Sequence, residues 1–165
     1  MKVDRPGVAR LLTDADVEAF VRRERAAGRR IVFTNGVFDI LHPGHVRYLQ
    51  AARALGDVLI VGLNADDSVR RNKGPERPIT AEGERAELLG ALECVDAVVI
   101  FREDIPDVII RLVQPDILVK GADWPADQIV GRDTVEARGG RVVRMPVEEG
   151  FSTSAILHRI KSPGA

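Results

Sequence analysis

Short runs of consecutive apolar residues recur along this chain, and segments with helical spacing separate them. The five runs are residues 31–33, 57–63, 96–101, 116–119 and 141–145. A strand that is apolar at every position, instead of at alternate positions, is typical of a parallel sheet with helices on both faces. The runs therefore predict an α/β protein with a single doubly wound parallel sheet of about five strands.

The segments between the runs carry signals for helix starts and ends. Thr13 and Asp16 have the spacing of a capping box, Pro43 suits the first turn of a helix, and Gly28 and Gly56 end helices. From these signals for helix starts and ends we expect an N-terminal leader and helix over residues 1–28. Residues 29–161 then form one Rossmann-like domain, and residues 162–165 form a tail.

Composition excludes several classes of protein. The chain has 24 basic and 25 acidic residues, a balance that argues against binding nucleic acid by bulk charge. No apolar run approaches the ~20 residues of a membrane-spanning helix, and acidic residues occupy the place of a signal peptide's apolar stretch. Cys94 is the single cysteine, so no internal disulfide can form. We expect a cytoplasmic protein without nucleic-acid or membrane partners.

The segment after the first run contains the densest group of chemically useful residues. It reads TNGVFDILHPGH over residues 34–45 and places His42 and His45 around Pro43 and Gly44. Doubly wound sheets bind ligands at the carboxyl ends of their strands. A helix that begins at Pro43 would direct unpaired N–H groups toward an anion there, and Gly44 would permit its close approach. Metal binding and a purely structural role of the histidines remain alternatives.

The stretch GVFDILHPGH resembles the HxGH signature of the nucleotidyltransferase superfamily, in the branch of the glycerol-phosphate and choline-phosphate cytidylyltransferases. The resemblance covers roughly residues 30–160. Through LIVGLNADDSVRRNKG, PDILVKGADW and EEGFSTS, it is strongest to the enzymes that adenylylate D-glycero-β-D-manno-heptose 1-phosphate. The cytidylyltransferases have Arg-Thr before the acid-Gly pair of the last motif, where this chain has Val147 and Glu148. This departure favours ATP over CTP.

The resemblance implies that residues 29–161 are a nucleotidyltransferase domain that transfers AMP from ATP to a sugar 1-phosphate and releases pyrophosphate. The catalytic residues would be His42, His45, Lys120 and Lys73. The nucleotide would be bound by Thr34, Asn35, Gly36, Phe38, Gly44, Gly121, Asp123, Ser152, Thr153 and Ser154. The sugar phosphate would be bound by Asp39, Asn64, Asp66, Arg77, Arg85 and Trp124.

The resemblance also implies Mg²⁺ bound with the phosphates of ATP, near Asp39 and without a dedicated protein site, and a homodimer. Simpler roles stay open for some residues: Asp39 could order its own loop, Trp124 could be a packing anchor, Lys120 a surface lysine and Ser152 an ordinary N-cap. Alternative functions are a cytidylyltransferase for a phospho-alcohol, an FMN adenylyltransferase, and a nucleotide-binding module without turnover.

Overall fold

The computed structural model describes residues 9–162, and six parallel strands form one sheet within them. The strands are β1 (Arg10–Leu12), β2 (Ile31–Gly36), β3 (Val58–Asn64), β4 (Ala97–Phe101), β5 (Ile117–Gly121) and β6 (Arg141–Met145). The helices are α1 (Asp14–Ala26), α2 (Pro43–Arg53), α3 (Asp66–Lys73), α4 (Glu82–Gly90), α5 (Asp107–Val113), α6 (Arg132–Glu136) and α7 (Thr153–Lys161).

The order of strands across the sheet is β1-β4-β3-β2-β5-β6. From β2 the chain adds β3 and β4 on one side, and then returns to place β5 and β6 on the other. The topological switch point therefore lies between β2 and β5. Helices cover both faces, because Phe20 of α1 and Ile110 of α5 belong to one apolar cluster while Leu49 of α2 and Leu89 of α4 belong to the other. The predicted doubly wound, Rossmann-like α/β fold is confirmed.

The amino ends of the strands are held by aspartates that precede neighbouring strands. Asp116, before β5, accepts a hydrogen bond of 2.7 Å from the backbone N–H of Ile31 in β2. Asp96, before β4, accepts one of 2.8 Å from the N–H of Leu59 in β3. These bonds link the amino ends of adjacent strands. Within residues 9–162, no helix is both long and apolar enough to cross a membrane.

Two elements differ from the sequence prediction. The sheet has a sixth strand, β1, which lies in the predicted leader and pairs with β4. Only Leu12 of its three residues is buried, so no apolar run marks it. The polar stretch after β3 forms α3, where Ser68 and Val69 are the buried residues. Lys73 is the last residue of that helix. The predicted leader before residue 9 and the tail beyond residue 162 lie outside the described residues.

Candidate active site

A cleft of about 1050 Å³ opens at the carboxyl ends of the strands, over the switch point. Asn35 of β2, Asn64 of β3 and Lys120 of β5 lie at its base, and the amino ends of α2 and α7 form part of its wall. This is the position that the topology of a doubly wound sheet predicts for a ligand. The local sequence determines this wall, because Pro43 and Ser152 both favour the start of a helix there.

His42 and His45 lie together at the amino end of α2. His42 is the N-cap residue, and its Nδ1 accepts a hydrogen bond of 3.3 Å from the backbone N–H of His45. The two imidazole rings are stacked with their centroids 3.7 Å apart. Because Nδ1 of His42 accepts a hydrogen bond, its neutral ring carries the proton on Nε2 and can donate it to a ligand. Within residues 9–162, no group of three or more metal-binding side chains is present.

Burial favours the neutral forms of both histidines in the free cleft. Burial lowers the pKa of His45 to about 4; the neighbouring His42 contributes to this shift and the carbonyl of Ile40 opposes it. Burial also lowers the pKa of His42. His45 Nδ1 is buried without a partner in hydrogen-bond geometry among the described residues, so Nε2 is its nitrogen available to a ligand. The ring of Phe38, a residue with a left-handed φ of 47°, packs edge-on against His45.

Lys120 lies at the end of β5 and is buried, with 8% of its surface exposed. Its ammonium donates a hydrogen bond to Oδ1 of Asn35 and lies 5.9 Å from the centre of the Trp124 ring. Burial lowers the pKa of Lys120 to about 8. The alternative of a surface lysine is therefore wrong. Trp124 is 52% exposed on the wall of the cleft, a position that does not suit a packing anchor.

The amino end of α7 forms another part of the cleft wall. Ser152 is its N-cap and accepts a hydrogen bond of 3.0 Å from the backbone N–H of Ala155, while Thr153 and Ser154 also face the cleft. Gly44 of α2 lies against this end, because a Cβ on it would be 3.0 Å from the Cβ of Phe151. A Cβ at position 44 would thus require Phe151 or the His42 ring to shift by a few tenths of an ångström. The absence of a Cβ at Gly44 therefore allows the two helix ends to pack closely.

Asp39 orders the loop beside the cleft. Its carboxylate accepts hydrogen bonds from Nε of Arg77 at 2.6 Å, from the N–H of Ile79 at 2.8 Å and from the N–H of Thr80 at 2.9 Å. Burial alone would raise the pKa of Asp39, but these hydrogen bonds outweigh it and hold the pKa below its usual value. Both carboxylate oxygens are occupied, so Asp39 fits poorly as a ligand for Mg²⁺. The structure favours the loop-ordering alternative for this residue.

Three residues that were expected to bind a ligand do not line the cleft, namely Arg85, Asp66 and Thr34. Arg85 is completely buried, and it donates to the carbonyls of Val37 and Thr80 and to the carboxylate of Asp66. Asp66 is therefore engaged by Arg85. Thr34 is also completely buried, with its hydroxyl 2.8 Å from that of Tyr48 and 3.0 Å from the carbonyl of Val119. These side chains shape the loops around the cleft instead of contacting its contents.

The other candidates line the cleft, and several further residues join them. Those that the sequence predicted are Asn35, Gly36, Phe38, Asp39, His42, Gly44, His45, Asn64, Lys73, Arg77, Lys120, Gly121, Asp123, Trp124, Ser152, Thr153 and Ser154. Sequence reasoning missed Arg47, Tyr48 and Phe151. Tyr48 could have been found, because it lies three residues after His45 on the same face of α2. Arg47 and Phe151 contact each other across the helix ends, 5.4 Å from guanidinium to ring centre, and no sequence signal indicates that contact.

The fold and the cleft define the class of this domain: a doubly wound α/β domain with an HxGH motif at the switch point of its sheet. Residues 33–159 match the model of the cytidylyltransferase-like family. The chain belongs to this family, as its sequence motifs predicted.

Individual relatives agree with this assignment. The chain is 56% identical over 142 residues to the bifunctional protein HldE of Citrifermentans bemidjiense, an alignment that covers 86% of this chain and 29% of that protein. It is 52% identical over 151 residues to HldE of Bradyrhizobium diazoefficiens, covering 92% of this chain and 31% of the relative. The chain thus spans about three tenths of the length of these curated relatives.

A solved structure is also similar. The crystal structure of the lipopolysaccharide core biosynthesis protein from Thermoplasma volcanium is 33% identical, with a TM-score of 0.61. The superposition covers 75% of this chain and 100% of that one. The likeness therefore extends over a whole solved chain.

Proposed function

We propose that this domain is an adenylyltransferase that transfers AMP from ATP to heptose 1-phosphate, giving ADP-heptose and pyrophosphate. One observation carries the proposal: the HxGH histidines, Lys120 and the amino end of α7 converge on one cleft. The identity to the HldE proteins and to a lipopolysaccharide core biosynthesis protein supports the heptose branch of the family, which the VKGADW and EEGFSTS motifs also indicate.

The reaction needs alignment and charge neutralisation more than covalent help from the protein. An oxygen of the sugar 1-phosphate attacks the α-phosphorus of ATP, one P–O bond forms, and the bond to the oxygen bridging the α- and β-phosphorus breaks. Both reactants are anions, so donors that strengthen as charge moves to the leaving pyrophosphate lower the barrier. Nε2–H of His42 would donate to a phosphate oxygen, and His45 would bind beside it through Nε2.

The remaining groups would bind different phosphates of ATP. The amino end of α7, with Ser152, Thr153 and Ser154, would bind the β- and γ-phosphates through backbone N–H groups and hydroxyls. Lys120 would place its ammonium against a phosphate oxygen. Lys73 would approach from the far side, because it is exposed at the carboxyl end of α3 and lines the cleft. Mg²⁺ would arrive as the MgATP substrate.

The test is a matrix of nucleotides against phosphate acceptors. Purified protein is incubated with ATP or CTP, and with heptose 1-phosphate, glycerol 3-phosphate or FMN, and pyrophosphate release is measured. We expect release with ATP and heptose 1-phosphate. Release with CTP and a phospho-alcohol, or with ATP and FMN, would contradict the assigned substrates. Binding of ATP without release in any arm would contradict an enzymatic role.

The histidine variants test the mechanism in the same assay. His42→Ala and His45→Ala each remove a donor that acts chiefly in the transition state, so turnover should fall by roughly 100-fold or more while the fold persists. His158→Ala is the matched control, because His158 is exposed on α7 and does not line the cleft. Turnover of either cleft variant equal to that of His158→Ala would contradict the role of the histidines.

We further propose that the domain acts in the cytoplasm, where ATP is available, and as a homodimer. Two observations support an interface beside β1: Leu11 on this edge strand is 60% exposed, and Leu88 on the adjacent α4 is 49% exposed. Light scattering would give the oligomeric state. A monomer at all concentrations tested would contradict the dimer, and a dimer should become weaker in the Leu11→Asp variant.

A further inference from the structure

Asn35 and Lys120 are the second-to-last residues of two neighbouring strands, β2 and β5, on either side of the switch point. In the parallel register of β2 and β5, Phe33 lies opposite Leu118, so Asn35 and Lys120 come opposite each other two residues further on. Nζ of Lys120 donates a hydrogen bond to Oδ1 of Asn35, and both side chains line the cleft. The contact joins the two strands between which the strand order reverses.

The Lys120 ammonium has no carboxylate partner among the residues that the structure describes. The titratable or charged groups around this part of the cleft are His42, His45 and Tyr48 of α2, Asp123 after β5, Arg144 of β6 and Glu148 before α7. Glu148 is paired with Arg47, and Arg144 donates to the carbonyl of Ala122. Desolvation is the cause of the lowered pKa of Lys120. Among the described residues, the hydrogen-bond acceptor of this buried ammonium is therefore a neutral amide, and the Trp124 ring lies beside it.

We propose that Asn35 is a positioning residue, whose amide oxygen aims the Lys120 ammonium into the cleft without neutralising it. A carboxylate at position 35 would form an ion pair and cancel the charge, whereas an aliphatic residue would leave the ammonium without a hydrogen-bond acceptor. The amide thus leaves the whole charge to the phosphates of the ligand. This inference rests on the proposed function only in taking that ligand to be a polyphosphate.

The arrangement couples ligand binding to protonation of Lys120. In the free protein the pKa of about 8 leaves part of the Lys120 population neutral at pH 8. A bound polyphosphate favours the charged form, so ATP binding takes up protons in this pH range. The histidines would take up protons in a lower range, because their pKa values in the free protein lie below 6.5. Lys120→Met should remove the uptake at pH 8 and leave the uptake near pH 6.

The first experiment titrates Lys120 in the free protein. The chain has four lysines (Lys2, Lys73, Lys120 and Lys161), so ¹³C-labelled lysine gives an NMR spectrum that the Lys120→Met variant assigns. Asn35→Ala should lower the pKa of Lys120, and Asn35→Asp should raise it. Gln50→Glu is the matched control, because it makes the same amide-to-carboxylate change at an exposed position of α2. A purely structural asparagine would alter stability only. Unchanged titration of Lys120 in both Asn35 variants would overturn the proposal.

The second experiment measures ATP binding by calorimetry in buffers of different ionisation enthalpy. Asn35→Asp should weaken ATP binding by about tenfold at pH 7, equivalent to about 1.4 kcal/mol, and Gln50→Glu should not. In Asn35→Ala, the alkaline loss of affinity should begin at lower pH than in the wild type. Equal ATP affinity of Asn35→Asp and wild type would contradict the role of Asn35.

The two experiments separate this inference from the proposed function. Neither requires an acceptor or turnover, so a protein that binds ATP but makes no ADP-heptose still tests Asn35 fully. If the wild type bound no ATP, the proposed function would fail, and the NMR titration would still decide whether Asn35 controls Lys120.

Discussion

Replacing the buried Arg85 with methionine should destabilise the fold strongly. The guanidinium has no exposed surface and donates to the Thr80 carbonyl at 2.9 Å, to the Val37 carbonyl at 2.6 Å and to the Asp66 carboxylate at 2.6 Å. Methionine fills part of the volume but donates no hydrogen bond. The variant therefore leaves acceptors in three separate segments without their shared donor.

The size of the effect follows from what each acceptor loses. A buried acceptor left without its partner costs roughly 1–3 kcal/mol, and breaking a buried ion pair costs about 3–5 kcal/mol. The side chain of Asp66 is 21% exposed and can bind water once Arg85 is removed. The total cost should therefore lie in the lower part of the range for breaking a buried ion pair. We expect Arg85→Met to lower the free energy of unfolding by about 3–4 kcal/mol, a large share of the ~5–15 kcal/mol typical of a domain.

Urea unfolding followed by circular dichroism measures this difference directly. The transition midpoint should fall without a change in slope, because the surface exposed on unfolding is nearly the same. Arg22→Met is the matched control: Arg22 is exposed on α1, and its loss should cost less than about 0.5 kcal/mol. If Arg85→Met cost less than about 1 kcal/mol, the buried hydrogen bonds would not stabilise the fold as argued.

Three further substitutions test the electrostatics and the packing of the cleft. Burial lowers the pKa of His45 from an ordinary 6.5 to about 4, so the unfolded chain binds more protons than the folded protein between these pH values. The free energy of unfolding of the wild type should therefore fall on acidification through this window. Urea titrations at pH 7 and pH 4.5 should show a smaller fall for His45→Asn. Asp39 has a lowered pKa, so its contribution to the free energy of unfolding is present above the ordinary value of 3.8 and is lost as the pH falls below it. Asp39→Asn should therefore reduce stability at pH 7 and weaken the dependence of stability on pH in the acidic range. An unchanged acidic pH dependence would contradict this role. A Cβ in Gly121→Ala would lie 2.4 Å from Oδ1 of Asp123, which lines the cleft. Calorimetry should show weaker ATP binding by this variant, with little change in its melting temperature. Unaltered ATP affinity would exclude a role for this close contact.

The fold could be predicted where burial leaves a local trace in the sequence. All seven residues of β3 are buried, and the sequence accordingly shows a continuous apolar run there. β1 leaves no such trace, because only Leu12 is buried and the strand is stabilised by pairing with β4. Likewise α3 buries only Ser68 and Val69, so helical periodicity is absent from its sequence. Short edge elements depend on contacts that are distant along the chain.

The sequence predicted which segments form the candidate site, but it predicted less accurately which of their side chains face the cleft. The motif at the end of β2 identified the correct loop, yet adjacent residues of a strand point in opposite directions. Thr34 is consequently hydrogen-bonded beneath α2 to Tyr48, while Asn35 meets Lys120. Sequence also cannot show that Arg85 is already satisfied by backbone carbonyls. Such partners come from segments that only the tertiary fold brings together.

For the proposed reaction, the charges around the cleft would determine how one site binds ATP and then releases pyrophosphate. Two of its arginines are already neutralised, Arg77 by Asp39 and Arg47 by Glu148. Fixed cations there would bind the product pyrophosphate tightly through the same phosphate contacts. Instead, burial lowers the pKa of both histidines, to about 4 for His45, and lowers the pKa of Lys120 to about 8. A bound polyphosphate would favour the charged forms of these groups, so the positive charge facing it would increase chiefly at the histidines, because Lys120 with a pKa of about 8 is already mostly charged at pH 7.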